Sequence, residues 1–192
     1  MKLVFATNNA NKIKEVQALI PDSITLLSLA DIGCHEDIPE TSPTIEGNAM
    51  QKVNYIKEHY NYPCFADDTG LEVTALDGEP GVFSARYAGP ERSSEANMQK
   101  LLNNLTSKTD RSAQFKTVVA LSLDDHKPTC FTGICEGEIT EEKRGHGGFG
   151  YDPIFLPKGY TDTFAEMELT LKNKIGHRGK AVQQLVEFLN QL

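Results

Sequence analysis

KLVFATNNANKIKEVQALIP, residues 2–21, passes from an apolar run through capping side chains into a helical segment. Residues 2–6 carry enough Leu, Val and Phe to form a buried strand. Thr7, Asn8 and Asn9 suit a helix start, because their side-chain oxygens accept from the unpaired N–H groups of a first turn. Residues 11–20 then read as a helix that Pro21 ends. Residues 24–29 are the next strand candidate, completing strand–helix–strand. Working outward, Thr44 can cap a helix whose Ile45, Ala49, Val53 and Ile56 share one face. Strands are expected at residues 64–66 and 71–76, split by a polar turn at Asp67-Asp68-Thr69-Gly70. Ser93 or Ser94 caps a helix carrying Met98, Leu101, Leu102 and Leu105. Residues 113–123 and 129–139 read as a long hairpin turning at 124–128. A last helix buries Val182, Leu185, Val186 and Leu189. The sum is a mixed-sheet α/β fold.

The 192 residues contain no internal repeat, low-complexity tract or linker, so one domain spanning residues 1–192 is expected. A chain of this length buries roughly 70% of its unfolded surface and needs no staples. An apolar share of 39% with 24% charged residues excludes coiled coil, collagen and wholesale disorder. No apolar run approaches the roughly 20 residues that span a bilayer, and the opening run turns polar at Thr7, too soon for a signal peptide. A cytoplasmic protein with no membrane partner is expected. Nineteen basic against twenty-seven acidic residues give a net charge of −8, which disfavours a general nucleic-acid surface. A polyanionic ligand would therefore need local cations or a metal. Cys34, Cys64, Cys130 and Cys135 form no Cys-x-x-Cys pair and read as free thiols.

Four constellations carry chemistry. A strand feeding Thr7-Asn8-Asn9-Ala10-Asn11-Lys12 offers helix N-terminal N–H groups and a lysine to a phosphate, although plain capping explains the same residues. Residues 31–46 hold five acids and no Lys or Arg, and residues 58–85 again hold neither base. Of Asp67 and Asp68, on a turn between strands, one can ligate a hard cation while the other braces the loop, with Glu36, Asp37 or Glu40 completing a Mg²⁺ site; a simple Asp-Gly turn is the alternative. Four glycines within residues 145–150 let the backbone approach a ligand, Phe149 or Tyr151 can stack on a base, and Pro153 holds Asp152 extended. Lys172, Lys174, His177 and Arg178 fall within seven positions, as donors toward oxygen atoms or as a solvated charge cluster. Asn48 and Lys52, four apart on the Thr44 helix, add a smaller signal. No Ser/His/Asp or Cys/His set is legible, which disfavours nucleophilic catalysis.

The ordered set FATNNANK (residues 5–12), FADDTGL (65–71), PGVFSARY (80–87), GGFGYDP (147–153) and GHRG (176–179) resembles the inosine triphosphate pyrophosphatase family, whose bacterial members are dITP/XTP pyrophosphatases. The resemblance spans the chain. It implies hydrolysis of ITP, dITP and XTP to the monophosphate and pyrophosphate with Mg²⁺. It further implies an elongated mixed sheet flanked by helices, two lobes around a nucleotide cleft, and a homodimer. By motif position, Thr7, Asn8, Asn9, Ala10, Asn11 and Lys12 would hold the triphosphate, assisted by Lys52. Asp68 would be proton acceptor and metal ligand, with Glu40 the second ligand, and Thr69 would touch substrate. Phe149, Gly150, Tyr151 and Asp152 would frame the base, and Lys172, His177 and Arg178 would read its oxygens. The family commonly has Ser where this chain has Gly176, which removes a supporting hydroxyl. A pyrophosphatase for modified pyrimidine nucleotides and a nucleotide-sensing module are the alternatives.

Overall fold

The computed structural model describes residues 1–123 and 127–192. Strand β1 (Lys2–Phe5) runs into helix α1 (Ala10–Gln17), which ends short of Pro21. β2 (Thr25–Leu27) lies parallel to β1 with Leu26 opposite Leu3. Helix α2 (Ile45–Tyr60) starts at Thr44, whose Oγ1 accepts the Gly47 N–H at 3.0 Å, and buries Ile45, Ala49, Val53 and Ile56 as their spacing requires. It stops at Asn61 in the left-handed conformation, φ 53°, a role that Asn fills at low steric cost.

The break expected at residues 67–70 is absent. β3 (Cys64–Val73) runs through Asp67, Asp68, Thr69 and Gly70 without interruption. Asp and Gly disfavour strands, but pairing at both ends overrides propensity. Phe65 lies opposite Phe5 of parallel β1, and Leu71 lies opposite Gly81 of antiparallel β4 (Pro80–Gly81). Helix α3 (Ser94–Asn104) is capped by Ser93, whose side chain accepts the Ala96 N–H. β5 (Ser112–Ser122) and β6 (Thr129–Ile139) match the expected hairpin strands, and part of the expected turn, residues 124–126, lies outside the described residues. β7 (Phe155–Pro157) pairs antiparallel to β6. Two helices close the fold: α4 (Leu169–Ile175), unannounced by any cap in the sequence, and α5 (His177–Leu189). Among the described residues the strands hydrogen-bond in the order β2-β1-β3-β5-β6-β7, with β4 on β3. The mixed-sheet α/β expectation is borne out.

The chain divides into two compact units. The first comprises Met1–Asp68, Thr117–Gly133 and Arg178–Leu192. Its core gathers Leu3, Phe5, Val16, Phe65, Val119, Leu121, Val182 and Leu185. Phe5 and Phe65 stack at 4.6 Å, which ties the parallel β1–β3 pair by side chain as well as by backbone. The second comprises Thr69–Lys116 and Ile134–His177. Leu71, Val73, Leu101, Phe115, Ile139, Phe155 and Phe164 fill its core. Alternation along β5 sends Phe115 inward and Gln114 outward, where its Nε2 donates to Glu72 at 2.7 Å. No helix among the described residues is long and apolar enough to cross a membrane. All four cysteines are free thiols.

Candidate active site

In the first unit, Asn9 is the N-cap of α1 and accepts from Asn11 N and Lys12 N at 3.0 and 3.3 Å. Thr7 Oγ1 accepts the Asn9 N–H at 3.2 Å. Asn8, Asn9, Ala10 and Asn11 stay exposed at the helix start, where backbone N–H groups and the dipole favour an anion. One turn in, Lys12 reaches Asp67 Oδ1 at 3.0 Å. Asp67 is also bound through Oδ2 by Arg178 Nε at 3.0 Å, and Arg178 Nη1 holds Glu15 of α1. All three members of this last set are buried. Burial opposes ionisation of Asp67, yet the Lys12 ammonium and the Arg178 guanidinium outweigh it and hold the carboxyl well below its usual range. Asp67 is thus a brace, but between strand β3 and the Lys12 and Arg178 side chains rather than for the loop that was expected.

Asp68 points to the other face of β3, toward α2. Asn48 Nδ2 donates to Asp68 Oδ2 at 3.1 Å, and Lys52 Nζ lies 3.8 Å from Asp68 Oδ1. The same ammonium contacts Glu40 Oε1 at 2.7 Å and the Asp67 carbonyl oxygen at 2.6 Å. Glu40 belongs to a segment laced along α2. Glu36 accepts from Tyr55 and Tyr60 at 2.8 and 2.6 Å, Thr41 N donates to Gln51 Oε1 at 3.0 Å, and Ser42 N donates to Asn48 Oδ1 at 2.9 Å. Of the three acids weighed beside Asp68, the geometry brings Glu40 to Lys52, while Glu36 is occupied by the two tyrosines and Asp37 is exposed.

The two neighbouring aspartates are driven apart. Burial pushes Asp68 above its usual value against the pull of Lys52 and Lys12, whereas Asp67 goes down. Divergent environments for paired carboxyls are how acid and base roles get divided. Lys12 is lowered by burial against the attraction of Asp67. Lys52, although buried, is raised by Asp68, Glu40 and Asp67. The donor set suits a hard divalent cation: Glu40 and Asp68 face one ammonium, and Asp68 lacks the full neutralisation that Asp67 enjoys. No group of three or more His, Cys, Asp or Glu converges among the described residues. Glu40 and Asp68 are the two carboxylates that would serve a cation such as Mg²⁺, which usually keeps several waters.

In the second unit, Gly148 and Gly150 take φ of 68° and 63° on either side of Phe149, which glycine does without a steric penalty. Asp152 is not extended as Pro153 suggests; it opens a 3₁₀ turn, Asp152–Ile154. Its Oδ2 accepts from Phe149 N at 2.7 Å and from Lys172 Nζ at 2.6 Å, and those bonds fix the carboxylate. The Lys172 ammonium also lies over the Phe149 ring, 4.9 Å from its centroid. Tyr151 is not a stacking platform: its ring belongs to the core and its OH donates to Ser84 O at 2.7 Å. Phe149, half-buried, is left for that role. His177 stacks on Phe115 at 4.4 Å. Phe149, Asp152 and Lys172 are brought together; Arg178, adjacent to His177 in sequence, belongs to the first unit's network. Thr69 sits half-buried in β3. A cavity of about 710 Å³ in this unit, lined by Glu72, Gln114, Glu136, Glu138, Leu156 and Tyr160, holds none of these residues.

The sequence matches the Ham1 family over residues 3–188. This chain belongs to the Ham1 family. It is 62% identical over 189 residues to the dITP/XTP pyrophosphatase of Flavobacterium johnsoniae, covering 98% of each chain. It is 61% identical to that of Christiangramia forsetii over the whole of both. Among solved structures, the Staphylococcus aureus Ham1 protein aligns with TM-score 0.91 at 41% identity, covering 100% of this chain and 99% of that one. A HAM1 protein from Coxiella burnetii aligns with TM-score 0.93 at 39% identity over both full lengths. Within this Ham1-family fold, sequence reasoning passed over Glu15 and Ser84. Glu15 had no signal beyond being an acid near the start of a helix. Ser84 stood inside a quoted motif without a task.

Proposed function

We propose that this chain is a Mg²⁺-dependent pyrophosphatase that converts dITP, ITP and XTP to the monophosphate and pyrophosphate. The observation that carries the reading is the contrast between Asp67, locked by Lys12 and Arg178, and Asp68, pushed upward beside Lys52 and Glu40. The names of relatives about 60% identical support the substrate class. Water attacks the α-phosphorus, Asp68 accepts its proton, and the bond to the pyrophosphate oxygen breaks. Lys12 and Lys52 stabilise charge that builds on the phosphate oxygens, and the positive end of α1 at the exposed residues 8–11 takes the tail of the triphosphate. Glu40 and Asp68 would hold Mg²⁺, which when bound neutralises phosphate charge and acidifies coordinated water.

The base falls to the second unit's cluster. Phe149 supplies a stacking face, and Lys172, aimed by Asp152, donates to the 6-oxo group of hypoxanthine or xanthine. Adenine would present N–H against that ammonium, and a buried donor left unpaired costs orders of magnitude in rate. His177 backs the cluster through Phe164, whose ring lies under the Lys172 ammonium, while Arg178 keeps Asp67 and Glu15 in register. Residues 1–192 then act as one catalytic domain, as a homodimer, on the cytoplasmic nucleotide pool.

Pyrophosphate release from ITP, dITP, XTP, GTP, ATP and dUTP, with Mg²⁺ and with EDTA, tests the reading. Fast release from the first three, abolished by EDTA, is expected. Release mainly from dUTP would discard the base assignment, and tight binding without turnover would make the protein a sensor.

A further inference from the structure

The motif at residues 80–87 has no part in the chemistry above, yet its serine is among the most connected side chains of the second unit. Ser84 is buried on the 3₁₀ turn Ser84–Arg86. Its Oγ donates to Gly81 O at 2.6 Å and accepts the Leu71 N–H of β3 at 2.9 Å, while its carbonyl accepts the Tyr151 hydroxyl at 2.7 Å. The turn is clamped again from α3: Asn97 Nδ2 donates to Ala85 O at 3.0 Å and Asn97 Oδ1 accepts from Ala88 N at 2.7 Å. A segment fixed this firmly can serve as a datum for whatever is attached to it.

Attached to it is the segment proposed to read the base. Tyr151 stands between Phe149 and Asp152, and its ring would fill the core equally well without a hydroxyl. The hydroxyl adds one directional bond, to Ser84 O, across 67 residues of chain. Gly148 and Gly150 give the segment two positions of wide conformational freedom; Gly147 N is held by Ala165 O at 2.9 Å and Asp152 by Lys172 at 2.6 Å, and the Tyr151 hydroxyl adds a directional hold between those two points. We infer that Ser84 is a positioning residue for base selection: by holding Tyr151 it sets where Phe149 and Asp152 stand against Lys172. The inference rests on the reading that Phe149, Asp152 and Lys172 select the base. Misplacement of a recognition group by a fraction of an ångström to 1 Å is enough to degrade discrimination.

The test compares kcat/KM for dITP and dATP in the wild type, Ser84→Ala, Tyr151→Phe and the double variant. The ratio of two substrates on one preparation does not depend on the fraction folded, so a partly unstable variant still reports. Each single variant is expected to lower the dITP-over-dATP ratio by about fivefold or more. The double variant should stay within about twofold of the worse single, because Ser84→Ala loosens the turn that carries the acceptor carbonyl and Tyr151→Phe removes the donor to that same carbonyl. Inhibition by inorganic tripolyphosphate, which has no base, should change by less than about twofold. A ratio in Ser84→Ala that matches the wild type within about twofold, whatever happens to Tm or in Tyr151→Phe, would make Ser84 a packing residue and overturn the inference. So would tripolyphosphate inhibition that weakens in parallel with the ratio. Lys172→Ala separates the two layers. If the wild type does not discriminate, or Lys172→Ala leaves the ratio intact, the base assignment itself falls and this inference with it; a ratio lost in Lys172→Ala but kept in Ser84→Ala and Tyr151→Phe refutes only the role of Ser84.

Discussion

Replacing Arg178 by Met should destabilise the protein severely, and the structure says by how much. The Arg178 side chain is 3% exposed, between Asp67 at 1% and Glu15 at 6%. Met keeps an apolar stem but leaves two buried carboxylates, with Asp67 retaining Lys12. Breaking a buried pair by removing one partner costs about 3–5 kcal/mol. For a chain of this size about 1 kcal/mol corresponds to 2–4 °C, so Tm should fall by roughly 6–20 °C. Urea titration should show a lower midpoint at unchanged slope. Arg178→Lys keeps the charge but loses the fork that serves both acids, and should fall between. Adding Glu15→Gln to Arg178→Met removes one orphaned charge, so the double variant should be less destabilised than the sum of the singles. Acid should narrow the gap between wild type and Arg178→Met. A carboxyl held low in the folded state gives stability that is present above its unfolded pKa, about 3.9, and lost as pH falls through the folded value. Asp67 is such a group, and the Met variant keeps the part of that advantage that Lys12 supplies while losing the part that Arg178 supplies. The exposed pair Lys143–Glu95 is the control: Lys143→Met should change stability by less than about 0.5 kcal/mol. A loss below about 1 kcal/mol in Arg178→Met, at unchanged slope, would refute the argument that this guanidinium neutralises buried charge.

Three other outcomes are expected. Asp68→Asn should lower kcat by about 10²–10⁴ while nucleotide affinity, measured by calorimetry, changes little; near-normal kcat would remove Asp68 as the proton acceptor. The Glu36 carboxyl, held by Tyr60 and Tyr55, should titrate at about 2 by NMR, and its contribution to holding residues 36–42 on α2 should persist down to that pH; an ordinary midpoint would show the tyrosine contacts to be transient. Gly176→Ser should lower Tm, because a Cβ there lies 2.6 Å from the Lys172 carbonyl oxygen, a backbone atom with little room to yield; an unchanged or raised Tm would mean the α4–α5 junction adapts freely.

Local signals were read correctly where local physics sets the outcome. The β1–α1–β2 start, the Thr44 and Ser93 caps, the apolar stripe of α2 and the strands β5 and β6 all follow from capping chemistry and from periods of 3.6 and 2 residues. Lys12, Asp68, Asp152 and Lys172 were singled out by motif and Lys52 by its spacing from Asn48, and the structure brings Lys52 beside Asp68 and Lys172 beside Asp152. The failures share one cause. Residues 67–70 look like a turn, and it is the pairing of β3 with β1, β4 and β5 that carries the strand through them. Pro153 predicts an extended Asp152, but Lys172, 20 residues away, and the Phe149 amide hold it in a helical turn. Tyr151 looks like a stacking ring until Ser84, from another part of the chain, takes its hydroxyl into the core. Arg178 appears grouped with Lys172 by sequence distance, whereas its guanidinium lies with Asp67, 111 positions away. The sequence by itself determined the fold class, the family resemblance and which residue types were available for catalysis. Which of two adjacent aspartates is paired with Lys12 and Arg178 and which faces Lys52, and which of Phe149 and Tyr151 is buried in the core, only the tertiary structure decided, because burial and charge partners are properties of neighbours in space.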